Sequence, residues 1–226
     1  MGTLNFKLST ISSKVIMAIA GLFLMSFLVV HLLINLLMLL GDEGVLFSKA
    51  AHFMTSNPGI KVFEYILFSG FIIHMLIGVL LEIRNYFVRP VKYAVSPKSK
   101  TSCFSRYMIH TGIIIFLFLI LHFTHFFFVK LEWVSLPEGI NDTHDFFTMT
   151  KYLFKNPAYS VIYIACFVFL GFHLNHAFQS AFQTLGLNHP KYTPAIKVLS
   201  TIYGLCIAIG FSLIPIYFYF FYEYSK

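Results

Sequence analysis

Charge is what this chain of 226 residues has least of: Asp, Glu, Lys and Arg make up 11% of it, against 58% hydrophobic residues. A water-soluble domain carries about 25% charged residues, so this composition cannot cover a surface facing water on all sides. Cysteine is scarce as well. Cys166 and Cys206 fall in apolar runs and Cys103 in a basic loop, a pattern that implies no disulfide framework. With 28 Phe and a mean hydropathy of +0.78, disorder and collagen are excluded. What remains is an all-α integral membrane protein. Spans of about 20 to 25 residues, five in number, would use roughly half the chain and leave ordinary loops. A single membrane domain over residues 1–226 is expected, with no room for a soluble catalytic domain.

The apolar runs cover approximately 15–40, 61–83, 107–129, 158–182 and 198–221. Lipid admits only helices and closed barrels, and runs this long without alternation predict helices. The first run is too long for a signal-peptide core and no small-residue cleavage site follows it, so it reads as a retained span. Pro58 and Pro157 fall where the second and fourth helices begin, a position that suits proline. Pro215 lies late in the fifth and is expected to kink it.

Acidic residues are nearly absent from one side of this topology. The N-terminus and the 84–106 and 184–197 loops carry Lys7, Lys14, Arg84, Arg89, Lys92, Lys98, Lys100, Arg106, Lys191 and Lys197, opposed only by Glu82. The other side carries six basic and eight acidic residues. The positive-inside rule then places the N-terminus in the cytoplasm and the C-terminus outside. The formal charge of +7 thus describes a cytoplasmic face that attracts anionic lipid or docks a soluble partner, and not a nucleic-acid site. The tyrosines at 217, 219, 222 and 224 read as an outer aromatic belt.

Histidine is the residue in unusual supply, with ten in the chain. His31, His74, His110, His122, His125 and His173 lie within or at the edge of a span, and His176 one turn beyond. Ionisable groups at membrane depth are costly and mark ion paths or cofactors. A single such histidine is more often just bonded to a neighbouring helix. Here four helices each carry at least one.

An internal repeat narrows the choice. Gly21 is followed by nine residues and His31, and Gly112 by nine residues and His122. Asn57-Pro58 is followed by fifteen residues and His74, and Asn156-Pro157 by fifteen residues and His173. The halves differ by eight residues in the second outer loop. Two related helix hairpins and a fifth, unpaired helix are the expected architecture. The repeat favours His122 over His125 and His173 over His176, which remain substitutes one turn away. Counting along the helices puts His31 and His122 towards the outer side, with His74 and His173 about 10 Å deeper. Two pairs at two levels match two bis-histidine haems stacked in a four-helix bundle, each iron six-coordinate and suited to electron transfer. No Cys-x-x-Cys-His run is present, which argues against a c-type attachment. Gly70 and Gly78 flank His74, and Ala177, Ser180 and Ala181 continue the His173 face. Such small residues serve a flat macrocycle or close helix packing equally well.

These features resemble the dihaem cytochrome b subunit that anchors succinate dehydrogenases and fumarate reductases, in its five-helix, single-chain form. The resemblance spans essentially the whole chain. It is carried by Gly-Leu-Phe-Leu at 21–24 before His31, Ile-Ile-His at 72–74, Thr-Gly at 111–112 before His122, and Phe-His-Leu-Asn-His-Ala-Phe-Gln-Ser-Ala-Phe-Gln-Thr-Leu-Gly at 172–186. It implies two haem b groups, the proximal on His74 and His173 and the distal on His31 and His122. It implies a flavoprotein and an iron–sulfur subunit on the cytoplasmic face, and a quinone, menaquinone in this class, as redox partner in a bacterial inner membrane. Succinate chemistry belongs to those partners, since no dicarboxylate site or flavin motif is present here.

The same resemblance implies an acidic residue near the outer haem for quinol protons. Asp42, Glu43 and Glu64 are the candidates; Glu64, inside the second helix, is preferred, while Asp42 and Glu43 read as solvated loop charges. Some dihaem fumarate reductases carry a glutamate two residues before the fourth ligand, tied to transmembrane proton transfer; Gly171 stands there. The rivals are another dihaem membrane cytochrome, such as a nitrate reductase anchor, a histidine-lined transporter or proton channel without haem, and an anchor that has lost its haems. The near absence of carboxylates in the spans, beyond Glu64 and Glu82, weighs against a channel.

Overall fold

In a computed structural model, residues 9–88, 108–137 and 139–222 are described. Lys7, Arg89, Lys92, Lys98, Lys100, Cys103, Arg106, Tyr224 and the expected first residue of the third span, Tyr107, lie outside them. Seven helices are named here in chain order: α1 (Thr10–Leu36), α2 (Val45–Ser56), α3 (Pro58–Val88), α4 (Met108–His122), α5 (Phe146–Phe154), α6 (Pro157–Thr184) and α7 (Thr193–Ile216). No strand occurs among the described residues. Five helices are long and apolar enough to cross a membrane: Thr10–Leu39, Pro58–Phe87, Met108–Lys130, Pro157–Thr184 and Thr193–Phe221. The lipid-facing character of α3 is plain from Phe63, Ile66, Ile72, Leu76 and Leu80, all exposed on one helix.

Each expected span is present, with ends displaced by polar caps that hydropathy ignores. α1 begins at Thr10 because Ser9 Oγ accepts from the Ser12 amide at 3.1 Å. The two Asn-Pro pairs of the repeat perform one local task. Asn57 Oδ1 accepts from the Gly59 amide and Asn156 Oδ1 from the Ala158 amide, both at 2.9 Å, with the proline supplying the helical φ. α6 stops where Gly186 takes φ +87°, letting the Leu187 amide reach back to the Phe182 carbonyl at 3.0 Å. α7 starts five residues earlier than its apolar run, at Thr193, and its α-geometry ends at Ile216, one residue after Pro215. The chain continues as a π-helical turn over Tyr217–Phe221, since a proline cannot donate to the Phe211 carbonyl. A second π turn, Phe123–Phe127, followed by Phe128–Lys130, extends α4.

α2 and α5 were not expected. They are short amphipathic helices in the loops that follow the first and third spans, and they bring Phe47, Phe147, Leu153 and Phe154 into the main core. Gly44 must be glycine for this, because a Cβ there would collide with the Phe147 ring and its φ is +78°. Asp42 is thus a cap and not merely a solvated charge: its carboxylate accepts from the Gly44 and Leu46 amides at 3.1 and 2.8 Å.

The core is lopsided. Met25 and Leu32 of α1, Tyr163, Phe167, Leu170 and Leu174 of α6, and Ile207, Phe211 and Ile214 of α7 form most of it. α7 is bound tightly to α6, where Gly171 and Gly204 meet backbone to backbone. Nearby, Asn175 Oδ1 accepts from Gln179 Nε2 and from Ser200 Oγ, both at 2.8 Å, with Ser200 fully buried. Asn175→Leu removes the acceptor they share, leaving Ser200 Oγ to the Lys197 carbonyl and Gln179 Nε2 to Ser200 Oγ, both at 2.8 Å. It is expected to lower stability by about 0.6 to 1.7 kcal/mol, read from the unfolding midpoint in a denaturing-detergent titration.

Candidate functional site

α1, α3, α4 and α6 form a ring. α1 packs on α3 and α6, α6 packs on α4, and α4 closes the ring against α3 by a light contact. Helices α1 and α4 are therefore diagonal neighbours, as are α3 and α6, and the repeat places a histidine on each.

Across the first diagonal, the rings of His31 and His122 face one another with centroids 6.0 Å apart and planes 80° apart. Aromatic side chains wall them in. Phe27 stacks on His31 at 5.2 Å and Phe211 of α7 lies 5.6 Å away, while Phe126 and Phe118 stand 5.2 and 5.9 Å from His122. The Asn35 amide donates to the His31 carbonyl at 2.8 Å and lies 3.3 Å from His31 Nδ1. His122 Nδ1 is buried with no hydrogen-bond partner among the described residues. A buried polar nitrogen left in this state costs about 1 to 3 kcal/mol, so it calls for an explanation.

Across the second diagonal, each histidine rests on a glycine of the helix beside it. A Cβ on Gly21 would lie 3.4 Å from His74 Cε1, and one on Gly112 would lie 3.8 Å from His173 Cε1. The two repeat glycines thus do the same thing: they make a flat bed for an imidazole from the other helix of each adjacent pair. His173 Nδ1 meets Thr111 Oγ1 at 3.1 Å, whereas His74 Nδ1 has no well-formed hydrogen bond, its backbone acceptor neighbour being Met17. Because Gly21 sits beside His74 and precedes His31 by ten positions, the levels are about 15 Å apart, wider than the 10 Å counted from the sequence.

The neighbouring histidines are occupied otherwise. His125, in the π turn, bonds the Tyr163 hydroxyl at 2.8 Å and packs edge-on to Tyr159 at 4.9 Å. His176 is half-buried one turn beyond His173, and His110 is exposed. Gly70 and Gly78 are packing sites against α1: Phe23 and Met17 lie over them. Glu64 accepts from Lys61 Nζ at 3.0 Å and lies 3.6 Å from Lys130 Nζ, which ties α3 to the end of the third span. Its carboxylate is paired and partly exposed. Glu43 is exposed at φ +55°.

Can two imidazoles at this spacing share a metal? Nitrogens held about 2 Å from a common ion on opposite sides put ring centroids roughly 6 Å apart, which is the His31–His122 value. Nε2 of His31, His122 and His173 makes no hydrogen bond among the described residues. The donors are neutral imidazoles in aromatic surroundings, a set that suits haem iron. Among the described residues no three His, Cys, Asp or Glu side chains gather as a metal site, and a bis-histidine iron needs only two. Thr111, Asn35 and Tyr163 are site neighbours that sequence reasoning missed. Thr111 had a signal, as it precedes the repeat glycine; Asn35 follows His31 by one helical turn; Tyr163 had none.

Fold and site define a multi-pass helical membrane protein with histidines paired across a four-helix ring. No protein-family model matches the chain, and no curated protein and no solved structure matches it either.

Proposed function

We propose that this chain is the dihaem cytochrome b anchor of a succinate:quinone oxidoreductase in a bacterial inner membrane, with its N-terminus in the cytoplasm. It passes electrons between the iron–sulfur subunit of a flavoprotein complex and membrane quinone, menaquinone in the class it resembles. The observation that carries the haem assignment is the pairing of His31 and His122 across the bundle at 6.0 Å; His74 and His173, each laid on a repeat glycine of the neighbouring helix, support a second level. The choice of complex rests on the 172–186 segment and its companions.

In this proposal His31 and His122 hold the distal haem and His74 and His173 the proximal one. Bound there, haem would supply a one-electron iron couple suited to electron transfer. The chain does the rest. Phe27, Phe118, Phe126 and Phe211 keep water from the outer pair, and the glycines at 21 and 112 fix the inner imidazoles. Glu64, held between Lys61 and Lys130 towards the outer end of α3, is the proposed group for quinol protons.

A dithionite-reduced minus oxidised spectrum of the purified protein, with haem extracted and counted per chain, tests the proposal. Two protohaems with a low-spin bis-histidine signature are expected. One would remove one histidine pair. None, in a folded sample, would overturn the electron-transfer function and bring a histidine-lined channel forward.

A further inference from the structure

Thr111 is placed where it controls one imidazole. Its hydroxyl proton goes to the Met108 carbonyl one turn back, at 3.0 Å. With that bond made, Oγ1 accepts from His173 across the 3.1 Å contact when Nδ1 carries the ring proton, which is the tautomer that ligation through Nε2 would require. Thr111 thus offers an acceptor that favours the Nδ1–H tautomer of His173, the form whose Nε2 is free to ligate.

The repeat supplies an internal control. Gly21 corresponds to Gly112 and Met17 to Met108, but Ala20 stands where Thr111 would be. On that side His74 rests on Gly21 with no hydroxyl at Nδ1, its acceptor neighbour being the Met17 backbone without a well-formed bond. Two imidazoles that share one role in the two halves therefore differ in one hydroxyl.

Resting on the dihaem proposal, we infer that Thr111 is a positioning residue for the proximal haem: it locks the His173 tautomer and makes His173 the stronger donor of the His74/His173 pair. A hydrogen bond from the outer ring nitrogen raises ligand basicity and stabilises the more positive metal state. Removing it should raise the proximal haem's midpoint potential; adding its equivalent at Ala20 should lower it.

The test is a spectroelectrochemical titration of the assembled membrane complex with haem counted in each sample, comparing T111V, T111A, T111S and A20T with the parent. Two haems in every sample, an upward shift of one potential in T111V and T111A, no shift in T111S and a downward shift of the same haem in A20T are expected. Loss of one haem in T111V with both kept in T111S supports the same role. Should T111V not assemble, T111A, which adds no bulk, decides. Two haems with both potentials unmoved in T111V, T111A and A20T would overturn the role of Thr111 and leave the dihaem proposal standing. No haem in the parent would overturn both.

Discussion

On the dihaem proposal, His122→Ala is expected to halve the haem content, from two groups per chain to one, and the group that remains should keep its low-spin spectrum. His31→Ala should do the same. The reason is the division of ligands between levels. The His31–His122 pair is walled off by Phe27, Phe118, Phe126 and Phe211, and the other pair lies about 15 Å further along the bundle. Loss of one axial ligand therefore leaves the second level with both of its own. His74→Ala and His173→Ala should each remove the other group. His125→Ala is the control that separates ligation from general damage. It strands the buried Tyr163 hydroxyl, costing about 1 to 3 kcal/mol, yet should retain both haems. Haem extraction with pyridine haemochrome spectra reads all five variants. Loss of a haem in H125A with both kept in H122A would make His125, in the π turn, the ligand in place of His122.

Gly204→Leu should be the most damaging single change away from the histidines. A Cβ on Gly204 would lie 2.6 Å from the Gly171 carbonyl oxygen, and one on Gly171 would lie 2.9 Å from Ala208 Cβ and from the Gly204 oxygen. Backbone cannot swing aside as a side-chain tip can, so α6 and α7 must separate. Overpacking of this kind costs about 1 to 3 kcal/mol for modest additions, and a leucine asks for more than that. α7 carries no histidine, but it braces those that do. Tyr203 donates to the Met25 carbonyl of α1 at 2.8 Å, and Phe211 lies against His31. The expected outcome is a lower thermal midpoint in detergent together with loss of haem. A G204L protein with the parent's midpoint would mean that the seam is slack. The same packing bears on Gly171. Where some dihaem fumarate reductases carry a glutamate, this chain has a helix crossing with no volume for a carboxylate, and Gly171→Glu should fail to assemble.

Much of this was legible without coordinates. Eleven per cent charge and long apolar runs require a membrane protein because lipid cannot satisfy a bare backbone, and the five spans follow from that alone. The repeated Gly-to-His and Asn-Pro-to-His spacings single out four of ten histidines, since helical rise converts spacing into depth. Short, amphipathic α2 and α5 escaped, because their helicity comes from caps such as Asp42 and Asp145 and from packing against the core at one end of the bundle.

Spacing along a helix says how deep a residue lies but not which way it faces or what stands opposite. Only the ring order of α1, α3, α4 and α6 makes His31 and His122 diagonal partners, turns His125 to Tyr163 and lays His74 and His173 on glycines. The hydroxyl of Thr111 acquires its meaning in the same way, from a histidine 62 positions distant in the chain. Composition and period determined the spans and the levels, because both depend on local backbone geometry and on transfer from water to lipid. Pairing belonged to the tertiary structure, because it depends on how the glycine seams let particular helices approach.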